Sequence, residues 1–175
     1  VYSVEGVIDI VNEQWSDWKD VGVDVSRKMD GVRTIVHKVG DKLEVWSEDG
    51  SEFSRLVPTI VNQLKKIKNV FVVEGELEWY HEGVHMNRSL TSGIINKNDV
   101  CQFEDELFLS LYDLIWSNGT DFHDKGWEVR KKQLFKFKES KNVKLVKQFT
   151  VRSVEKLEKT IGKVSNEQGA EGAFL

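Results

Sequence analysis

Cysteine and proline are nearly missing from this chain, with one of each among 175 residues. A lone Cys101 excludes an internal disulfide and a cysteine-built zinc cluster, and it suits a reducing compartment. No apolar run approaches the roughly 18–20 residues that span a bilayer, and no charged-then-apolar stretch of the signal-peptide kind stands at the start. A large charge of one sign is also lacking, since 25 basic and 29 acidic residues leave a net of −4. Nine Phe, six Trp and three Tyr are present, with 39% hydrophobic residues. That composition excludes disorder, which needs few aromatics and a strong net charge. The length suits one domain with a real core. A soluble, cytoplasmic protein with no membrane partner is the expectation.

The small net charge conceals an uneven distribution. Residues 1–124 hold 12 basic and 23 acidic side chains, a net of −11, whereas residues 125–159 hold 12 basic and 4 acidic, a net of +8. A basic block inside an acidic protein reads either as a surface for a polyanion or as a solvated lysine-rich helix face.

Alternation and turn signals predict a mixed α+β domain. Val21, Val23 and Val25 alternate with small or polar residues, as do Val32 to His37 and Leu43 to Trp46. With turns at Gly40-Asp41 and Glu48 to Ser51, residues 21–47 read as an antiparallel meander. Leu56, Ile60, Leu64 and Ile67 fall at helical spacing. Strands are expected at 70–73 and 77–80 around a kink at Gly75, at 107–115 and at 143–149. Helices are expected at 126–138 and 152–162.

Chemistry concentrates first in Lys28-Met29-Asp30-Gly31-Val32-Arg33. A partly desolvated lysine at a strand end can serve as an amine nucleophile, and glycine lets backbone approach a phosphate. Arg33 offers a fixed fork of donors for a ribose or phosphate oxygen. The same hexapeptide also fits an ordinary hairpin with an exposed lysine. His81-Glu82-Gly83-Val84-His85 meets the His-Glu-x-x-His pattern of zinc metalloproteases. Gly83 within it disfavours the required helix, and the strand-like Leu77 to Tyr80 before it favours a hairpin.

Four segments together carry a family resemblance. Lys28-x-Asp30-Gly31-x-Arg33, Glu74-Gly75-Glu76-Leu77, Leu111-Tyr112-Asp113-Leu114-Ile115 and Gly169-Ala170-Glu171-Gly172-Ala173-Phe174-Leu175 resemble motifs I, III, IIIa and IV of the covalent nucleotidyltransferases. Val45 to Gly50, and the run from Asp113 through Val129-Arg130-Lys131-Lys132-Gln133-Leu134, are similar to ATP-dependent DNA ligases in particular. The resemblance implies two packed antiparallel β-sheets flanked by helices around a nucleotide cleft, an ATP-grasp-like nucleotidyltransferase domain. It implies ATP and Mg²⁺ as cofactors and nicked duplex DNA as partner of a monomer. Lys28 would take AMP from ATP as a lysyl-adenylate and pass it to the nick 5′-phosphate before the strand is sealed. Glu76 would accept from a ribose hydroxyl, with Glu74 shaping the pocket. Tyr112 would stack on adenine, Phe174 would cover its other face, and Glu171 would hold the metal.

The chain departs from that pattern in places. Glu48 stands where DNA ligases usually carry the arginine that holds the nick 5′-phosphate, with Arg55 a substitute nearby in sequence; Glu74 replaces an Asp. The sequence stops four residues after Glu171, so residues 1–175 read as an adenylation domain cut after motif IV, without an oligonucleotide-binding-fold domain. An RNA ligase, or an inactive nucleic-acid-binding relative, is the alternative function.

Overall fold

The computed structural model describes residues 3–175. These form two compact units, one from the described residues up to Met29 together with Val146–Leu175, the other Asp30–Leu145.

The smaller unit is built on a three-stranded antiparallel sheet in the order β10-β1-β9. Its strands are β1 (Val23–Met29), β9 (Phe149–Val151) and β10 (Ala170–Phe174). Three helices accompany them: α1 (Val4–Gln14), α2 (Trp18–Val21) and α6 (Val154–Ser165). Side chains start two of these helices, since Ser3 Oγ accepts from the Gly6 amide at 3.1 Å and Ser153 Oγ from the Lys156 amide at 3.4 Å. Apolar residues at helical spacing, Ile8 and Val11 on α1 and Leu157, Ile161 and Val164 on α6, are buried with Trp18, Val23, Val25 and Val151. Trp18 is anchored through Nε1 to Asn12 Oδ1 at 3.0 Å, whereas Trp15 is exposed.

The larger unit holds a seven-stranded sheet. Its strands are β2 (Val32–Val39), β3 (Lys42–Ser47), β4 (Phe71–His81), β5 (Val84–Met86), β6 (Leu107–Ser117), β7 (Thr120–Asp121) and β8 (Val143–Leu145), and its helices α3 (Pro58–Lys65), α4 (Arg88–Ile95) and α5 (Trp127–Leu134). The main path runs β3-β2-β4-β6-β7, with β5 on β4 and β8 on β6; only β6 and β8 pair in parallel. Alternating residues of the sheet, among them Val36, Val45, Phe71, Val73, Leu77, Leu107 and Leu109, are buried with Ile60 and Leu64 of α3. The α+β class expected from the sequence is the observed one. Among the described residues no helix is long and apolar enough to cross a membrane.

Several expected elements are redrawn. Strands at 21–47 do not form one meander: β1 pairs with β9 and β10, while β2 pairs with β3 and β4. The intervening Asp30-Gly31 is not a reversing turn, because both residues are tied elsewhere. Asp30 Oδ1 accepts from the Arg88 amide at 3.2 Å, and the Gly31 amide donates to Glu76 Oε1 at 3.1 Å. The strand expected at 143–149 is two short strands, β8 and β9, in different sheets. The helix expected to reach 138 stops at Leu134, and the chain then turns to set Phe137 edge-on to Phe71, with ring centroids 5.1 Å apart. Strand β4 is continuous through Gly75. The His-Glu-x-x-His segment is the β4–β5 hairpin, with positive φ at Glu82 (50°) and Gly83 (79°), the backbone of a tight two-residue turn rather than a metalloprotease helix.

Gly75 lies where β6 comes closest: a Cβ there would meet the Ser110 carbonyl oxygen at 2.8 Å and Leu109 Cδ1 at 3.1 Å. Gly75→Ala is therefore expected to lower stability by about 1–3 kcal/mol through overpacking, read as a lower denaturation midpoint in urea.

Candidate active site

In the smaller unit, Lys28 and Glu171 come together through an irregular register. On β1, Lys28 pairs with Gly172 and Met29 with Ala170, so Glu171 is the extra residue of a bulge in β10. Such an insertion re-aims a side chain, and Gly172 carries the positive φ of 153° that follows it. Lys28 Nζ donates to Glu171 Oε2, and both side chains stay a little over 40% exposed. A lysine amine is thus held against one carboxylate within reach of solvent. Phe174 lies on the same strand opposite Ser26 and is exposed.

The larger unit gathers Arg33, Glu74, Glu76 and Tyr112. Strand alternation puts Glu74 and Glu76 on one face of β4, and the β2–β4 register sets Arg33 opposite Glu76 and Ile35 opposite Glu74. Arg33 Nη2 donates to Glu74 Oε1 at 2.9 Å, which holds the guanidinium even more firmly charged than usual. Glu76 Oε1 takes the Gly31 amide. Gly31 has no room for a side chain, as a Cβ would fall 2.3 Å from the Leu77 carbonyl oxygen. Residue 31 therefore has to be glycine for the backbone to reach Glu76.

Tyr112 is also set by a bulge. Glu74 pairs with Asp113 and Gly75 with Leu111, so Tyr112 is an inserted residue of β6, as Ile115 is between the partners of Val72 and Val73. Burial pushes its phenol well above the usual range, reinforced by the charges of Glu74 and Glu76 and opposed by Arg33. Asp113 instead accepts from Arg130 Nε at 2.8 Å, which ties β6 to α5.

Glu48 lies beside this cluster, with Oε1 3.7 Å from Arg33 Nη1 and Oε2 3.6 Å from Arg88 Nη2. Arg55, the substitute suggested by sequence proximity, donates to the Asn98 carbonyl. Arg88 is the residue that sequence reasoning did not single out: it is forty positions from Glu48, and only the fold unites them.

Among the described residues no three His, Cys, Asp or Glu side chains cluster to hold a metal ion. Glu171 alone suits a cation that completes its shell with phosphate oxygens and water, the habit of Mg²⁺. His81 and His85 are engaged otherwise, His81 Nδ1 with Glu106 at 2.9 Å and His85 beside buried Glu78.

In the smaller unit a strand-borne lysine is thus paired to a carboxylate, and in the larger unit three neighbouring strands, β2, β4 and β6, carry Arg33, then Glu74 with Glu76, then the bulged Tyr112. The family model described as ATP dependent DNA ligase domain matches residues 8–175, and the chain belongs to that family. It is 29% identical over 152 residues to a DNA ligase of Thermococcus onnurineus, an overlap of 83% of this chain and 27% of that protein. A DNA ligase of Methanocaldococcus jannaschii is 28% identical over 61% of this chain and 20% of its own length. The chain thus spans about a quarter or less of these relatives. The fold resembles the crystal structure of the ligase domain from M. tuberculosis LigD, with a TM-score of 0.63, 14% identity, and coverage of 88% of this chain and 48% of that one. A mycobacterial DNA ligase D complexed with ATP and MES aligns with a TM-score of 0.62 at 14% identity over the same shares.

The raised Tyr112 phenol gives a pH prediction. Because its folded value lies above the unfolded one, near about 10, its contribution to stability is complete below that pH. The contribution is lost as pH climbs further, since the unfolded chain ionises first. In a spectrophotometric titration at 295 nm, wild type minus Tyr112→Phe should show no tyrosinate until the pH is well above 10.

Proposed function

We propose that this chain is the adenylation domain of an ATP-dependent DNA ligase, spanning residues 1–175. The observation that carries the reading is the bulge that brings Glu171 to Lys28, in a chain matched over residues 8–175 by the ligase-domain family.

In this reading Lys28 Nζ, as the neutral amine, attacks the α-phosphorus of ATP in line. A P–N bond forms as the bond to the β-phosphate oxygen breaks, and pyrophosphate leaves. Glu171 is the nearest acceptor for the amine proton and the side chain that would hold Mg²⁺. When bound with the phosphates, the cation would neutralise charge that builds on them. Glu76 accepts from a ribose hydroxyl, and Arg33, steadied by Glu74, donates to a ribose or phosphate oxygen. Tyr112 stacks on the adenine, and Phe174 adds an aromatic contact to the base. The nick 5′-phosphate then attacks the adenylate, the P–N bond breaks, and Lys28 regains its lone pair. Attack by the 3′-hydroxyl finally expels AMP and closes the strand. The protein acts as a monomer in the cytoplasm.

Duplex DNA would meet the basic stretch of the larger unit. Lys132, Lys136, Lys138, Lys141 and Lys144 are all exposed there, and such contacts to phosphates release counterions.

Incubation with α-labelled ATP and Mg²⁺ should place a covalent label on the protein, lost in Lys28→Ala and reduced more than about ten-fold in Glu171→Gln. Label that survives in Lys28→Ala would sink the mechanism. Replacing Lys132, Lys136 and Lys138 by Gln should weaken duplex binding in a salt-dependent way. The slope of log affinity against log salt is expected to flatten by about one per lysine removed, measured by fluorescence anisotropy.

A further inference from the structure

We propose that Arg88 binds the terminal 5′-phosphate of the nicked strand, and that Glu48 is a built-in competitor for that place. The inference deepens the ligase reading and rests on it.

Glu48 is one carboxylate shared between two guanidiniums, at 3.7 Å from Arg33 and 3.6 Å from Arg88. Both distances exceed hydrogen-bond reach, and all three side chains are about half exposed. Water screens such contacts, so the carboxylate is readily displaced. The two arginines differ in what else they do. Arg33 is fixed on Glu74 at 2.9 Å, while among the described residues Glu48 is the one acidic partner of the Arg88 side chain.

Arg88 is placed firmly by its backbone. It is the first residue of α4, behind an Asn87 cap whose Oδ1 accepts from the Leu90 amide at 3.1 Å. Its own amide is held by Asp30 Oδ1 at 3.2 Å. A cation at a helix N-terminus opposes the macrodipole; the first turn of α4 holds no acidic residue, and the Asp30 carboxylate on the first amide supplies the negative charge there. With the helix end already taken by Asp30 and Asn87, an incoming anion would be favoured by the guanidinium, whose fork of donors matches phosphate oxygens.

Competition with Glu48 also selects the kind of phosphate. A phosphodiester within a strand carries one negative charge, no more than the carboxylate it has to displace. A terminal phosphomonoester approaches two and presents three equivalent oxygens to the guanidinium fork. The Glu48–Arg88 pair therefore discriminates a 5′-phosphorylated end from continuous backbone. Arg55 cannot take this role while its guanidinium is engaged with the Asn98 carbonyl.

The test compares two nicked duplexes, identical except for a 5′-phosphate or a 5′-hydroxyl at the nick, by fluorescence anisotropy with the full chain. Arg88→Ala should weaken the phosphorylated duplex about ten-fold and the hydroxyl duplex less than about two-fold. Arg88→Lys, which keeps the charge and loses the fork, should fall between. Glu48→Gln should strengthen the phosphorylated duplex several-fold, and that gain should vanish in Glu48→Gln/Arg88→Ala. Unchanged discrimination in Arg88→Ala, a Glu48→Gln gain that persists without Arg88, or no discrimination by wild type would each overturn the proposal. So would a loss of ATP affinity with both duplexes unaffected, because the arginine would then serve the triphosphate. Lysyl-adenylate labelling of the same preparations keeps the two ideas apart. Label without 5′-phosphate discrimination defeats the Arg88 assignment alone, whereas phosphate discrimination without label in wild type defeats the ligase reading and leaves the anion site standing.

Discussion

Strict alternation along a β-strand gives each face every second residue, and this limits where chemistry can be carried. Each of the two units escapes the limit in the same way. In β10 the inserted residue is Glu171, which is thereby brought to Lys28. In β6 it is Tyr112, opposite Glu74. The insertion in β6 also explains the core: Leu107, Leu109 and Leu111 are buried with period two, and Leu114 is buried next, a step of three. Without the extra residue either Leu114 or Tyr112 would face the wrong way. The insertion at Tyr112 thus keeps Leu111 and Leu114 both in the core while Tyr112 stays half-buried beside Glu74.

The electrostatics of β4 suit a nucleoside better than a phosphate. Glu74, Glu76 and Glu78 follow at intervals of two on one face. Each is answered locally: Glu74 by Arg33, Glu76 by the Gly31 amide, and buried Glu78 by Ser110 Oγ at 2.9 Å and the Tyr80 hydroxyl at 3.2 Å. Carboxylates so engaged keep lone pairs for hydroxyl donors and repel anions. The cationic side chains lie elsewhere, Lys28 in the smaller unit and Arg33 and Arg88 in the larger.

What the sequence disclosed follows the range over which each signal acts. Lys28, Arg33, Glu76, Tyr112 and Glu171 were visible because each sits in a short contiguous motif. Strands β2 and β3 were visible because alternation is local, and β6 because its apolar run is contiguous. The partners of β1 were not, since Ser26 pairs with Phe174 across nearly the whole chain and nothing near Ser26 encodes that choice. The positions that announce α1, namely Val4, Val7, Ile8 and Val11, were present at helical spacing and simply had no motif to draw attention to them. The bulge in β6 had a readable sign too, in the odd step from Leu111 to Leu114. The link from Glu48 to Arg88 had none, because it arises when β3 and the start of α4 are brought together by pairing through β2 and β4.

Asp30 shows how a motif residue can belong to two structures at once. It follows the lysine in the segment that carries the family resemblance, yet its carboxylate is anchored to the first amide of α4. A change there would loosen the start of a helix that also carries Arg88. Substitutions at Asp30 would therefore resemble catalytic lesions in a genetic screen while acting by release of a distant helix end. Covariation would be expected between positions 30 and 87, whose side chains cap the same helix, a linkage between a sequence motif and a helix cap rather than between two reacting groups.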